Sequence, residues 1–264
     1  MEVWLLDHLS TAVLAVLVVG GIVVLSLLGD KLCRRWFPST SGGAHNEMVA
    51  LLLSVFGAIY GVILAFVIVN LWTQMQDAET VVAGEATAVA QIVRDAQALP
   101  PGPRDRINTA VGRYVHTVVE KQWPVMREGH AGHDHTASEV DGIYEALRSF
   151  APTDSRQQIF LEHAVNSLDN VVDHRRDRIA ASGQDLPALL QTLVFGGALV
   201  ILPLTFMYGR EDRRLETIFV GSVSALLSLS VLLVLVLDLP FSGDLSVSPA
   251  VFKEGILAQF WTAP

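Results

Sequence analysis

The chain has 264 residues, of which 51% are hydrophobic and only 17% charged, with a formal net charge of −9 at pH 7. Four stretches contain no Asp, Glu, Lys or Arg at all: residues 9–29, 48–76, 186–209 and 217–237. Because a helix of about 20 apolar residues crosses the hydrocarbon core of a bilayer, the sequence predicts four transmembrane helices. The same distribution excludes a soluble enzyme, a secreted disulfide scaffold and a disordered chain, and the acidic balance argues against a nucleic-acid binder.

This pattern predicts an all-α integral membrane protein in four parts. Transmembrane helices 1 and 2 are expected in residues 1–76, and a soluble helical-bundle insert in residues 77–185. Transmembrane helices 3 and 4 follow in residues 186–238, and an amphipathic C-terminal tail in residues 239–264. The insert is expected to be soluble because the charges avoid the four apolar runs and are concentrated outside them.

Orientation is predicted from the basic residues beside the helix ends. The first apolar run is followed by a basic cluster rather than preceded by one, which favours a retained helix over a cleaved signal peptide. The two short loops, residues 30–47 and 210–216, carry six Lys and Arg, whereas the two tails carry only Lys253. Both loops are therefore expected in the cytoplasm, with both termini and residues 77–185 outside it.

The second apolar run is too long for one perpendicular crossing, so its helix is expected to continue from Met48 to about Leu99, where Pro100 and its neighbours stop it. Apolar residues at helical spacing predict further helices in the insert, and no stretch there alternates like a strand. The expected helices are residues 104–123, ended by Pro124; residues 138–150, capped by Ser138; and residues 153–181, capped by Thr153.

Polar side chains on the second membrane helix are the first candidate site. Gly57 and Gly61 form a small-xxx-small pair that lets another helix approach closely. Tyr60, Asn70 and Gln74 either face a pore or polar interface, or lie at headgroup depth where water satisfies them.

The fourth membrane helix adds Ser224 and Ser228, which either line a pore with hydroxyl groups or serve helix packing. No Asp, Glu, Lys, Arg or His lies inside any apolar run. A proton relay or a charged transport site at the bilayer midplane therefore has no candidate residue, whereas passive conduction remains open.

Histidines in the insert form the only candidate metal site. His130, His133 and His135 lie within six residues of one another in a glycine-containing loop. They either bind a transition metal or belong to a solvated loop, since a structural zinc site normally has a defined scaffold and spacing. No catalytic motif is present, so neither an enzyme nor a cofactor is predicted.

A basic turn precedes the third membrane helix. Its members are Arg175, Arg176 and Arg178. They either meet anionic lipid headgroups or an entering anion, or form a solvated or salt-bridged helix end.

Several segments together resemble a known family. The fourth membrane helix ends in an Asp-x-Pro-Phe-x-Gly sequence, and the other segments are Tyr60–Trp72 (YGVILAFVIVNLW), the Glu85-Ala86 pair and Glu120–Met126 (EKQWPVM). Together they resemble a bacterial family of unknown function called bestrophin-like, along nearly the whole chain. The residues that carry the resemblance are Glu85, Trp123, Pro124, Asp238, Pro240, Phe241 and Gly243.

The family name implies a likeness to bestrophins, which are pentameric anion channels with an all-helical fold. No bestrophin functional residue is transferred, because no segment matches their calcium-binding acidic cluster or aromatic pore neck. From the residues themselves, Pro240 and Gly243 are expected to shape a turn and Phe241 to anchor at the membrane interface. Asp238 is expected to bind a helix N-terminus, a basic partner or a cation, unless it has only a structural role in the turn.

The leading hypothesis is a homo-oligomer in the cell membrane that conducts inorganic ions passively. The alternative is a non-conducting envelope sensor or scaffold whose helical domain binds a partner or a metal.

Overall fold

The structure, a computed structural model, describes residues 11–36, 43–129, 134–184, 186–209 and 213–261. Within these ranges every regular element is a helix and no strand occurs. The predicted all-α class is confirmed.

The described residues form eight α-helices. They are α1 (Thr11–Trp36), α2 (Gly43–Ala96), α3 (Pro101–Thr117), α4 (Trp123–Arg127), α5 (Ala137–Arg148), α6 (Ser155–Ala181), α7 (Ala188–Phe206) and α8 (Arg213–Leu237). A π-helical turn, Val118–Gln122, joins α3 to α4, and two 3₁₀ helices, Pro249–Lys253 and Gly255–Phe260, follow α8.

Helices α1, α2, α7 and α8 are each long and apolar enough to cross a bilayer. Their most apolar 18-residue windows have mean hydropathies of 2.0 to 2.7. The windows of α1, α2 and α7 are only 17% buried within the chain, and that of α8 is 50% buried. Apolar helices with so much exposed apolar surface fit a membrane protein.

The chain divides into two compact units. One, called the apolar unit, consists of Met1–Thr73 and Asp185–Asp238. The other, called the insert unit, consists of Gln74–Gln184 and Leu239–Pro264. Helix α2 contributes residues to both units. The four-part division drawn from the sequence stays a prediction.

Prolines explain where α2 ends and α3 begins. Helix α2 ends at Ala96, and a turn follows in which the Leu99 amide donates to the Ala96 carbonyl. Helix α3 then begins at Pro101, three residues earlier than expected. A proline fits the first turn of a helix because the amide hydrogen it lacks has no partner there. The proline cluster therefore both stops one helix and starts the next.

Two of the predicted helix caps are wrong. Helix α6 is capped by Asp154, whose carboxylate accepts a hydrogen bond of 2.8 Å from the Gln157 amide. The Thr153 hydroxyl instead donates to the Gln157 side chain at 3.1 Å. Helix α5 begins at Ala137, so Ser138 lies inside its first turn and does not precede it. An aspartate is a strong N-cap, which explains why it takes the position beside Thr153.

The insert unit has an ordinary hydrophobic core. Val89 and Ile92 of α2, Val111 of α3, Ile143 of α5 and Leu168 of α6 are fully buried in it. The C-terminal segment belongs to the same core, since Phe252 and Leu257 are buried among these residues. Phe252 and Leu257 are thus covered by protein, whereas Leu245 of the same segment is 50% exposed.

Candidate functional site

A fully buried ion pair lies in the core of the insert unit. Glu85 of α2 and Arg178 of α6 both have no exposed side-chain surface. Arg178 donates from Nε to Glu85 Oε2 at 2.7 Å and from Nη2 to Glu85 Oε1 at 3.1 Å. Such two-point contacts are the strong form of the Arg–carboxylate interaction because the planar groups match. The pair joins α2 to α6 through two residues that are 93 positions apart along the chain.

Two further side chains complete the hydrogen bonding of this pair. The Tyr114 hydroxyl of α3 donates to Glu85 Oε1 at 2.6 Å, and Arg178 Nη1 lies 3.1 Å from the sulfur of Met126. Glu85, Tyr114, Met126 and Arg178 are called the buried centre below. They come from four different helices, α2, α3, α4 and α6.

The charge state of the buried centre follows from its surroundings. Burial on its own lowers the pKa of Arg178, but the adjacent Glu85 carboxylate outweighs it and raises that pKa above its ordinary value. Burial, followed by the negative charge of Glu85, raises the pKa of Tyr114 well above its ordinary value. Arg178 therefore stays positive and Tyr114 stays a neutral hydrogen-bond donor at any physiological pH.

An aromatic group covers one side of the buried centre. The Trp123 ring lies 6.0 Å from Arg178 Cζ. It makes edge contacts with Phe241 and Phe252, at ring-centroid distances of 5.6 Å and 6.4 Å. Phe241 is only 2% exposed, so its predicted role as an interfacial anchor is wrong. The ring enters the core because the turn that carries it packs onto Trp123.

A π-helical turn sets the position of Trp123. The Trp123 amide donates to the carbonyl of Val118, five residues earlier. Pro124 follows without an amide hydrogen, and its ring would clash with the carbonyl four residues before it in a regular helix. The wider turn accommodates the proline, so the helix continues to Arg127 and the prediction that Pro124 ends it is wrong.

The C-terminal motif forms a tight turn in the insert unit. The Val247 amide donates to the Pro240 carbonyl at 2.8 Å, and Gly243 has a φ of 81°, a conformation that glycine adopts without steric cost. The Ser242 hydroxyl donates to the Arg127 carbonyl of α4. The predicted turn-forming roles of Pro240 and Gly243 agree with this geometry.

Asp238 lies in the apolar unit, directly after α8. Its Oδ1 accepts a hydrogen bond of 2.7 Å from the Leu186 amide, two residues before α7 begins. The Leu186 amide lies before Pro187, the N-cap residue of α7, and α7 has no side-chain cap. Asp238 therefore holds the segment that leads into α7 and does not cap the helix itself, and its other expected roles stay predictions.

The membrane-helix candidates do not form one site within the described residues. The Tyr60 hydroxyl donates to the Val194 carbonyl of α7 at 2.7 Å. Ser228 donates to the Ser224 carbonyl on its own helix at 2.5 Å. The Ser224 hydroxyl is buried without a hydrogen-bond partner, whereas Asn70 and Gln74 are half-buried. Tyr60 joins two helices, and the other four stay pore or interface candidates only.

The predicted metal site falls largely outside the described residues, because His130 and His133 do so. The third candidate, His135, donates its backbone amide to Gln122 Oε1 at 2.8 Å. Among the residues described, no three His, Cys, Asp or Glu side chains are close enough together to hold a metal ion.

Residues of the basic turn have separate contacts. Arg175 pairs with Asp134, Arg176 is 73% exposed, and Arg178 is in the buried centre. Spacing in the sequence could have indicated the role of Arg178, because it lies seven residues after the buried Val171 and so shares a helix face with it. Its partner Glu85 was identified from the family resemblance alone.

The comparisons with known proteins agree with this description. The four apolar helices fit a membrane protein, and the family model of the Bestrophin-like domain matches residues 20–252. The chain belongs to the bestrophin-like family, which confirms the resemblance seen in the sequence. Neither the curated proteins nor the solved structures gave a match.

Proposed function

We propose that the protein is a homo-oligomer in the cell membrane that conducts inorganic ions passively, without acting as an enzyme. The observation that carries this proposal is a small-residue face of α2 against which no described helix of the same chain packs closely. A Cβ atom added at Gly57 or Gly61 would meet no other side chain or helix within 4 Å. In a bilayer, such a face favours close association with another helix, and a second copy of the chain supplies one.

An apolar cavity of about 780 Å³ lies beside this face, between α2 and α8. Gly57 and Gly61 line it from α2, and Phe219 and Leu226 from α8. Its lining is mostly apolar, so a hydrated path is not expected inside one chain. Conduction is instead expected between copies, where Asn70 and Gln74 would supply polar groups.

The buried centre has a structural role in this proposal. All its donors and acceptors face one another, and neither member of the ion pair is exposed. We assign it the task of fixing the packing of α2 against α6 in the insert unit. Residues of α2 also belong to the apolar unit, so the same helix takes part in both.

Recording in planar bilayers tests the proposal. The purified protein is expected to conduct, and a variant with Gly57→Ile and Gly61→Ile is expected to lose both the oligomer in native mass spectrometry and the current. Gly20→Ile is a matched control, since an added Cβ at Gly20 of α1 also meets nothing within 4 Å but Gly20 has Val16 and Val24 four residues away and so forms no small-xxx-small pair. Absence of current at every salt concentration, pH and voltage would contradict conduction and leave the sensor or scaffold alternative.

The sensor or scaffold alternative is favoured by one observation. The insert unit has its own core with an ion pair fixed inside it, which makes it a compact domain of the kind that this alternative requires. The His130, His133 and His135 loop adds metal binding to this alternative. Zinc calorimetry on the wild type and on the triple alanine variant tests it, and equal binding would reject the loop.

Topology is proposed from the basic residues of the two short loops, with both termini and residues 77–185 outside the cytoplasm. A reporter enzyme fused after Pro264 is expected to be active only on the outer side of the membrane. Cytoplasmic activity would reverse the assignment.

A further inference from the structure

A cleft in the insert unit, between α3 and α5, contains charged groups that do not pair with one another. Its volume is about 700 Å³. Its floor consists of the small residues Ala110, Gly142 and Ala146. Because these side chains are so short, the two helices leave open space above them. Ligand sites commonly have volumes of about 300–1,000 Å³, so the space suits a small molecule.

Two arginines stand on one wall of this cleft. Arg106 and Arg113 are seven residues apart on α3, so they share a helix face about two turns apart. An added Cβ at Gly142 would lie 3.8 Å from Arg113 Nη2, so this guanidinium lies over the floor of the cleft. Within the described part of the chain, neither arginine has a carboxylate within 4 Å.

The other wall carries an acidic group. Glu145 of α5 lines the same cleft, and among the described residues it too has no ionic partner. Asp105 is different, since it pairs with Arg104 at 3.4 Å. Asp105 also lines the cleft, so two positive and two negative groups surround it, and of these Arg106, Arg113 and Glu145 do not neutralise each other.

We propose that this cleft binds an acidic amino acid. The two carboxylates of the ligand would pair with Arg106 and Arg113, because guanidinium groups match carboxylates in shape and charge. The ammonium group of the ligand would pair with Glu145. The proposal does not depend on ion conduction, because the cleft lies entirely within the insert unit.

Calorimetric titration of the full-length protein in detergent micelles tests this proposal, with L-glutamate and glutarate as probes. Glutarate has both carboxylates but no ammonium group. L-glutamate is expected to bind at least tenfold more tightly than glutarate. Arg113→Gln is expected to weaken L-glutamate binding at least tenfold, and Glu145→Gln to abolish the preference for L-glutamate over glutarate.

Two controls separate binding from folding. Arg156→Gln changes an arginine of α6 that does not line the cleft, and it should bind L-glutamate like the wild type. Gly142→Leu fills the cleft and should weaken both probes at least tenfold, while far-UV circular dichroism stays unchanged. The proposal is overturned if L-glutamate does not bind, if glutarate binds equally well, or if Arg113→Gln binds L-glutamate like the wild type.

Discussion

The apolar unit and the insert unit differ in the kind of contact that holds each of them together internally. In the apolar unit the contacts between segments include neutral hydrogen bonds. The Tyr60 hydroxyl of α2 donates to the Val194 carbonyl of α7. The Asn46 side-chain amide of α2 both donates to the Gly209 carbonyl and accepts from the Gly209 amide. The insert unit instead places an ion pair, Glu85–Arg178, inside its hydrophobic core, where Tyr114 and Met126 complete its hydrogen bonds.

The difference fits the surroundings that we propose for each unit, lipid for the apolar unit and water for the insert unit. Lipid tails are as apolar as leucine, so packing and a few hydrogen bonds hold membrane helices together. The charged contacts of the apolar unit, Arg34 with Asp30 and Glu216, accordingly occur where α1 ends and α8 begins. In water, burial of apolar side chains supplies the driving force, and the insert unit tolerates a buried ion pair whose hydrogen bonds are satisfied.

The largest expected effect comes from breaking that ion pair. Arg178→Met leaves the Glu85 carboxylate buried without its cation, and this should lower the free energy of unfolding by about 3–5 kcal/mol. Chemical unfolding in detergent, followed by far-UV circular dichroism, measures the loss.

Arg176→Met is the matched control, because Arg176 is 73% exposed and two residues away. It should cost less than about 0.5 kcal/mol. Adding Glu85→Gln to Arg178→Met should restore part of the stability, because no charge is then left buried. Equal losses of stability for Arg178→Met and Arg176→Met would show that the buried ion pair does not stabilise the insert unit.

The next effect is expected from the aromatic group. Phe241→Ala removes a buried ring from its contact with Trp123 and should destabilise the insert unit by about 3–5 kcal/mol. Leu245→Ala, in the same turn but at a 50% exposed position, should change stability by less than about 0.5 kcal/mol. Limited proteolysis should then cut the Phe241→Ala variant after residue 238 sooner than the control. Equal cleavage of the Phe241→Ala and Leu245→Ala variants would show that the Phe241 ring does not hold this turn onto the core.

Local patterns predicted much of this fold. The charge-free stretches correspond to α1, α2, α7 and α8, and the continuation of α2 beyond the apolar run follows from the absence of a Gly-Pro break before Pro100. Periodicity in the insert predicted its helices to within a few residues at most ends.

Long-range pairing could not be predicted in the same way. Glu85 and Arg178 are 93 residues apart, and nothing near either residue identifies the other as its partner. Pro124 indicated a helix end by local rules, but a π-helical turn keeps the helix going and brings Trp123 into the core. The sequence around Phe241 fits an interfacial anchor, and it contains nothing that indicates the contact with Trp123.

An intermediate effect is expected from packing in the apolar unit. A Cβ atom at Gly197 of α7 would overlap the ring of Tyr60, whereas one at Gly196 would meet nothing within 4 Å. Gly197→Val should therefore destabilise the protein by about 1–3 kcal/mol, since overpacking forces the helices apart. Gly196→Val carries the same change in helix propensity without the clash. Unfolding of both variants in mixed micelles should separate them, and equal stability would show that α2 and α7 do not rely on this close approach.

The smallest effect is expected at Asp134, which lies just before α5 in the insert unit. Burial opposes its ionisation, but hydrogen bonds from Thr136 and the contact with Arg175 together lower the pKa of Asp134 below its ordinary value of 3.8. A lowered pKa means that the ionised form stabilises the folded state above pH 3.8, and that this contribution is lost as the pH falls through the lowered value.

Asp134→Asn should accordingly cost about 1 kcal/mol at pH 7 and progressively less in acid, because the protonated wild type has already lost the same interaction. Asp141→Asn, at an exposed position of α5, should show no such trend. Unfolding of both variants and the wild type at a series of pH values from 7 to 3 measures it. A difference between Asp134→Asn and the wild type that stays constant with pH would mean that the carboxylate contributes through shape rather than charge.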